Sequence, residues 1–133
     1  MTVVADAAAP GGAQDHVFTS PTAQWTVYDI VGGIVVRADE GTSRSFSITL
    51  QAPYLSQVEP GVYTGTSSSS DASTPGLDTV ANGQSCQTAA QTGAFRVLEV
   101  ERNPTSGSIT RFAAVFENRC GPSVAGTRGS VYW

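Results

Sequence analysis

The sequence predicts an all-β protein, an antiparallel β-sandwich of seven to eight short strands. Only 14% of its 133 residues are charged, whereas an average soluble domain has about 25% and long surface helices need many charged side chains. Segments in which apolar and polar residues alternate recur along the chain, and Gly, Pro, Asn and Asp separate them as turn residues do. A small closed β-barrel is the alternative, because the final strand can close against the first.

The predicted strands follow one another with short connections. The segment RSFSITLQ carries the clearest pattern, since Phe46, Ile48 and Leu50 alternate with Ser and Thr, as in a strand with one buried face. Gly32 and Gly33 form a pair that suits a two-residue hairpin turn. The strands are predicted at residues 16–20, 24–31, 34–38, 44–51, 62–66, 93–102, 108–118 and 129–133.

Two segments are predicted to lie outside the strands. Residues 67–74 (SSSSDAST) are low in complexity and cannot bury apolar surface, which favours an exposed loop. Residues 1–15 are mostly small and are predicted to form a flexible N-terminal tail, so that a single β domain spans residues 16–133. Such a tail is typical of the end that remains after a signal peptide is removed, which predicts a secreted, extracellular protein.

The charge distribution argues against two classes of partner. The net charge is −4, and the seven basic residues are all arginines, scattered singly along the chain. No basic stripe is therefore present to bind a nucleic-acid backbone. No apolar run approaches the roughly 20 residues that a membrane span needs. The sequence predicts neither a nucleic-acid partner nor a membrane span, and it leaves the oligomeric state open.

The two cysteines, Cys86 and Cys120, are predicted to form one disulfide. An exported chain with an even number of cysteines usually pairs them. Their separation of 34 positions corresponds to a stabilisation of about 3–4 kcal/mol in the loop-entropy model. Cys120 continues the alternation of Phe112 and Phe116, so we expect its sulfur to point into the same interior. Zinc is disfavoured because the single histidine, His16, lies seventy residues from the nearer cysteine.

Several segments of the second half resemble one family. They are PGVYTG from residue 60, PGLD from 75, NGQSC ending at Cys86, TGAFRVLEV from 92, ITRFAAVFENRC ending at Cys120, and GTRGSVYW at the end. In this order they are similar to an uncharacterised family of exported β-sandwich domains from actinobacteria of the Streptomyces type. That family combines PG-x-Y, G-x-F-x-V, F-x-x-x-F-x-x-x-C and a terminal R-G-x-V-x-aromatic segment. The resemblance implies export, β architecture and paired cysteines. It implies no activity, and Arg119 stands where the family has a histidine, so no catalytic or metal role at Cys120 follows from it.

No catalytic residue is predicted. Nucleophilic hydrolysis needs a base beside a hydroxyl or thiol, and His16 lies next to the flexible tail. Glu99 and Glu101 share one face of a predicted strand about 7 Å apart, within the range of a carboxylate pair, but that face is interpreted as a solvated outer surface. No cofactor is predicted either, although calcium held by Glu59, Asp71, Asp78 and loop carbonyls is an alternative.

Four aromatic residues are the candidate ligand-binding groups: Trp25, Tyr54, Tyr132 and Trp133. Exposed aromatic faces backed by neutral hydrogen-bonding groups suit sugars. The sequence therefore predicts a secreted, non-catalytic β-sandwich module that binds a glycan or a protein at the cell surface. A structural or assembly subunit of a secreted complex is the alternative, because Ser/Thr-rich sheet edges suit self-association. A small hydrolase is the last alternative.

Overall fold

The computed structural model describes residues 1–5, 14–42, 44–85, 91–121 and 126–133. These residues contain eleven β-strands, one turn of 3-10 helix at Pro53–Leu55 and no α-helix. The strands are β1 (Thr2–Ala5), β2 (Gln14–Val17), β3 (Gln24–Ile30), β4 (Gly33–Glu40), β5 (Arg44–Gln51), β6 (Gly61–Thr64), β7 (Gly76–Ala81), β8 (Gln84–Ser85), β9 (Thr92–Arg102), β10 (Ile109–Arg119) and β11 (Gly126–Tyr132). Nothing helical in this part of the chain is long and apolar enough to cross a membrane.

The strands form two antiparallel sheets in a sandwich-like arrangement. One sheet has six strands in the order β2-β1-β11-β10-β9-β6, and the other has five in the order β3-β4-β5-β7-β8. The last strand, β11, does pair with the first, β1. However, β2 and β6 remain as edges of that sheet, and β3 and β8 as edges of the other. The all-β prediction is confirmed, and the closed-barrel alternative is wrong.

The core lies between the two sheets and follows from the alternation in the sequence. Along β5, Phe46, Ile48 and Leu50 are buried and their Ser and Thr neighbours are half-buried. Along β10, Phe112 and Phe116 are buried in the same way. The rings of Phe46 and Phe116 stack with centroids 6.0 Å apart and planes 22° apart. Because one ring comes from each sheet, this stack joins the sheets face to face.

Three strands, β1, β7 and β8, are additional to the seven or eight predicted. The segment GLDTVA of β7 begins with the glycine of the Pro75-Gly76 pair, which is locally a turn signal. It pairs instead with β5 over six positions, from Phe46↔Ala81 to Gln51↔Gly76. Gly76 serves close packing, because a Cβ there would lie 2.6 Å from the Ser70 nitrogen. A glycine that reads locally as a turn signal is thus required by contacts that only the tertiary structure creates.

β1 and the first two residues of β2 lie within residues 1–15, the segment for which the sequence predicts a flexible tail. Thr2–Ala5 forms β1, which lies between β11 and β2 in the six-stranded sheet. Gln14–Val17 forms the edge strand β2, which begins two residues before the predicted strand at 16–20. Residues 6–13 lie outside the described part of the chain. The β-branched residues of TVVA are the local signal for β1, but its partner is the distant end of the chain.

Candidate functional site

An aromatic cleft of about 400 Å³ lies where the two sheets meet at one end. Its aromatic lining residues are Phe18, Trp25, Tyr132 and Trp133. The chain has only two tryptophans, and both line this one cleft. Three of the four aromatic residues predicted to bind a ligand are therefore brought together, although they come from opposite ends of the sequence. Met1, Thr19 and Ser20 complete the lining.

Strand ends from both sheets position the aromatic side chains. Trp25 is the second residue of β3 in the five-stranded sheet, opposite Ala38. Tyr132 is the last residue of β11, and it lies opposite Ala113 in the six-stranded sheet. Trp133 extends that ladder by one residue, since its N–H donates to the Phe112 carbonyl at 2.8 Å and its carbonyl accepts from the Phe112 N–H at 3.0 Å. The backbone beneath the two exposed rings is therefore fixed.

The opposite wall is the short connection between β2 and β3. The N–H of Phe18 donates to the Met1 carbonyl at 2.9 Å, and the Met1 amino group donates back to the Phe18 carbonyl at 2.9 Å. Burial lowers the pKa of this amino group. Beyond Phe18, the N–H of Ala23 and the hydroxyl of Thr22 both donate to the Thr19 carbonyl, at 2.8 and 2.7 Å. These bonds hold the wall in one conformation, so the cleft exists before any ligand arrives.

The cleft has a buried base and an exposed aromatic rim. Phe18 is buried and Trp25 is partly buried against the core. By contrast, 66% of Tyr132 and 42% of Trp133 are exposed to solvent. None of the lining residues that the structure describes here carries a charged side chain. Their polar side-chain groups are the hydroxyls of Thr19, Ser20 and Tyr132 and the indole N–H groups of the two tryptophans, and the Met1 amino group is bonded to the Phe18 carbonyl. Such a surface favours an uncharged ligand that has apolar faces and hydrogen-bonding groups at its edges.

Tyr54, the fourth predicted binding residue, lies apart from this cleft. It follows β5, whose last residue pairs with the first residue of β4, and the N–H of the intervening Ala52 donates to the Gly32 carbonyl at 2.9 Å. Tyr54 is thus near the β3–β4 turn, whereas Trp25 is at the other end of β3, roughly 17 Å away along the strand. Tyr54 lines a second cavity of about 340 Å³ together with Ser70, Asp71 and Ala72.

Glu99 and Glu101, the carboxylates considered for hydrolysis, both lie beside one arginine. The Arg111 Nη1 lies 3.1 Å from the Glu99 carboxylate and 3.3 Å from the Glu101 carboxylate. Asp39, which lies in β4, pairs with Arg37 at 2.6 Å. Glu99 and Glu101 are partly exposed on the outer face of the six-stranded sheet, next to Arg111 rather than next to a cavity. His16 lies in the edge strand β2, with its backbone opposite Val3.

The calcium alternative at Glu59, Asp71 and Asp78 stays a prediction, because it also relies on loop carbonyls. Among the described residues, no three His, Cys, Asp or Glu side chains lie close enough to hold a metal ion by themselves. Cys86 lies outside the described residues, and Cys120 follows β10 in a partly buried position. The disulfide therefore stays a prediction.

One aromatic residue of the cleft, Phe18, was not among the predicted binding residues. Phe18 provides the buried base, and the only signal for it in the sequence is an aromatic residue in the middle of the strand predicted at residues 16–20. Its role depends on the pairing of β2 with β1 and of β1 with β11, which local patterns do not reveal.

The comparisons with known proteins add no relatives. No family model, curated protein or solved structure matches the chain. The resemblance to exported actinobacterial domains therefore stays a prediction, and any function has to be argued from the geometry of the sites.

Proposed function

We propose that this chain is a secreted, non-catalytic module that binds an uncharged glycan in the aromatic cleft. The observation that carries the proposal is the convergence of Trp25, Tyr132 and Trp133 on one cleft that is lined by no charged side chain among the residues described. The export part of the proposal is supported by the resemblance of residues 60–133 to exported domains.

Aromatic rings and sugars have complementary surfaces. The C–H groups on one face of a hexose form an apolar patch that stacks on an aromatic ring, while its hydroxyls need hydrogen-bond partners at the edge. The rings of Tyr132 and Trp133 are exposed for stacking, and Thr19 and Ser20 supply hydroxyls beside them. The volume of about 400 Å³ is within the range of ordinary ligand sites, which is about 300–1,000 Å³.

Rigidity of the cleft also favours binding. A long sugar chain loses conformational freedom when it binds, and a preformed surface avoids adding the cost of ordering the protein. Here Trp133 is held by two backbone hydrogen bonds to Phe112, and the Phe18 wall by two to Met1. Both walls therefore keep their positions without a ligand.

Calorimetric titration with neutral oligosaccharides tests the proposal. We would titrate the protein with oligosaccharides of glucan, xylan, mannan and chitin. At least one should bind, and Trp133→Ala and Tyr132→Ala should each weaken that binding at least tenfold, because a buried aromatic anchor contributes about 1.4 kcal/mol or more. Tyr28→Ala is the matched control, since Tyr28 is 46% exposed on β3 and does not line the cleft.

Two results would overturn the proposal. One is the absence of binding across the four oligosaccharide classes at millimolar concentration. The other is binding that Tyr28→Ala weakens as much as Trp133→Ala does, because the ligand would then lie on another surface.

A further inference from the structure

The second cavity combines an exposed aromatic ring with a carboxylate. Its lining residues are Tyr54, Ser70, Asp71 and Ala72, and 78% of Tyr54 is exposed to solvent. Asp71 takes part in no salt bridge among the described residues, whereas Asp29 and Glu59 lie beside Arg102. An aromatic face attracts cations through its quadrupole, and a carboxylate attracts them through its charge.

The backbone at Tyr54 is in a conformation that tyrosine rarely adopts. Its φ is +60° and its ψ is 21°, in the left-handed region that favours glycine. The exposed ring contributes little to the core, so packing does not account for a tyrosine at this position. Strained residues that the fold does not need for packing are concentrated at functional sites.

Hydrogen bonds hold Tyr54 and Asp71 next to each other. The N–H of Tyr54 donates to the Asp71 carbonyl at 2.9 Å. The Asp71 Oδ1 accepts from the N–H groups of Ser73 and Thr74, both at 2.8 Å. These bonds lower the pKa of the Asp71 carboxyl, so it stays ionised well into the acid range. The bonds from the Ser73 and Thr74 N–H groups both end on Oδ1 and not on Oδ2.

We propose that Tyr54 and Asp71 form a second binding site, separate from the aromatic cleft, for an organic ammonium group. The ligand places its positive charge between the Tyr54 ring and Asp71 Oδ2, and its carbon frame on the apolar lining. The cavity of about 340 Å³ fits a ligand the size of one amino sugar or one alkylammonium ion. The net charge of −4 favours such ligands at long range.

NMR titration of the ¹⁵N-labelled full chain tests this site. The probes are glucosamine, choline chloride and glucose, and the observables are the amide shifts of residues 53–56 and 70–74. We expect saturable shifts there with glucosamine or choline at millimolar concentration and none with glucose. Binding of both cations indicates recognition of charge and ring alone, and binding of glucosamine alone indicates an amino sugar. Binding of glucose as strong as that of glucosamine, or no binding of either cation, overturns the proposal.

Two variants separate the charge from the fold of the loop. Asp71→Asn keeps an oxygen that accepts the Ser73 and Thr74 bonds, so the loop keeps its conformation while its charge is removed. We expect it to weaken cation binding about three- to fivefold, as for an exposed ion pair. Tyr54→Gly should abolish binding without lowering Tm, because glycine adopts the left-handed conformation without strain. If both variants bind as tightly as the parent chain, the site is not formed by these residues.

Cation binding at Tyr54 and Asp71 does not depend on the aromatic cleft. Trp133→Ala leaves the second site intact, so it should leave glucosamine or choline binding unchanged even if it abolishes glycan binding. Raising NaCl to 0.5 M should weaken binding at Tyr54, because exposed charges are screened, and should leave the binding of an uncharged glycan in the aromatic cleft unaffected. Loss of cation binding in Trp133→Ala would assign the ammonium group to the cleft and overturn a separate site.

Discussion

The stack of Phe46 on Phe116 predicts a measurable energetic coupling between the two sheets. Phe46 belongs to β5 in the five-stranded sheet and is 1% exposed, whereas Phe116 belongs to β10 in the six-stranded sheet and is 5% exposed. Their ring centroids are 6.0 Å apart, within the 4.5–7 Å at which aromatic pairs contribute about 0.5–1.5 kcal/mol beyond their burial. A double-mutant cycle isolates that contribution.

Leucine is the appropriate replacement at both positions. Truncation to alanine costs about 3–5 kcal/mol at each site, and the double variant would then lose most of the 5–15 kcal/mol that stabilises a typical domain. Leucine keeps most of the buried volume, so each single variant should lose about 1–2 kcal/mol, including the stack. Since the stack is lost only once in the double variant, its loss should be smaller than the sum of the single losses by about 0.5–1.5 kcal/mol.

Urea unfolding followed by circular dichroism gives the four free energies of unfolding. The matched control cycle pairs Phe46→Leu with Phe112→Leu, because Phe112 is equally buried but stacks on no ring among the described residues. That cycle should be additive within about 0.3–0.5 kcal/mol. If the Phe46 and Phe116 cycle is additive to the same degree, the sheets do not pack face to face through these rings.

Three further perturbations have expected outcomes. Burial raises the pKa of Asp78 above its usual 3.8, so the free energy of unfolding should fall as pH rises from about 4 through the raised pKa. Urea unfolding at several pH values should show this fall in the parent chain and not in Asp78→Asn. A Cβ at Gly129 would lie 2.9 Å from Phe116 Cζ, so Gly129→Ala should lower the free energy of unfolding by about 1–3 kcal/mol. Calorimetry should show a Tm lower by several degrees, and an unchanged Tm would contradict that packing. Mass spectrometry after alkylation should find Cys86 and Cys120 unmodified in native protein, and free thiols would refute the disulfide.

Local patterns in the sequence are sufficient for strands whose partner is close along the chain. The strand predicted at residues 44–51 has the observed bounds, Arg44–Gln51, because its alternation matches the burial of one face. The hairpin between the strands predicted at 24–31 and 34–38 is likewise observed, but its two turn residues are Val31 and Gly32 rather than Gly32 and Gly33, because Ile30 pairs with Gly33. In both cases the turn residues and the alternation of apolar and polar residues lie within one short segment, so the local sequence is sufficient to predict the strands.

Strands and sites that depend on distant pairing could not be predicted in the same way. Gly76 begins a strand because Ser70 and Gln51 approach it closely, and nothing in the local sequence separates this glycine from a turn glycine. The cleft could not be predicted either, because it also depends on residues that are distant in the sequence. Trp25 and Trp133 were both candidates as single exposed aromatics, but their meeting depends on how the ends of β3 and β11 lie in the two sheets.

Quenching of tryptophan fluorescence by acrylamide tests the central proposal most directly, because both tryptophans of the chain line the proposed glycan site. A saturating neutral oligosaccharide should cover the exposed part of Trp133 and reduce the quenching constant. Trp133→Phe, which leaves Trp25 as the single reporter, should show a smaller reduction. Quenching that stays unchanged while calorimetry reports a bound oligosaccharide would contradict the account, because the ligand would then occupy a surface that contains neither tryptophan.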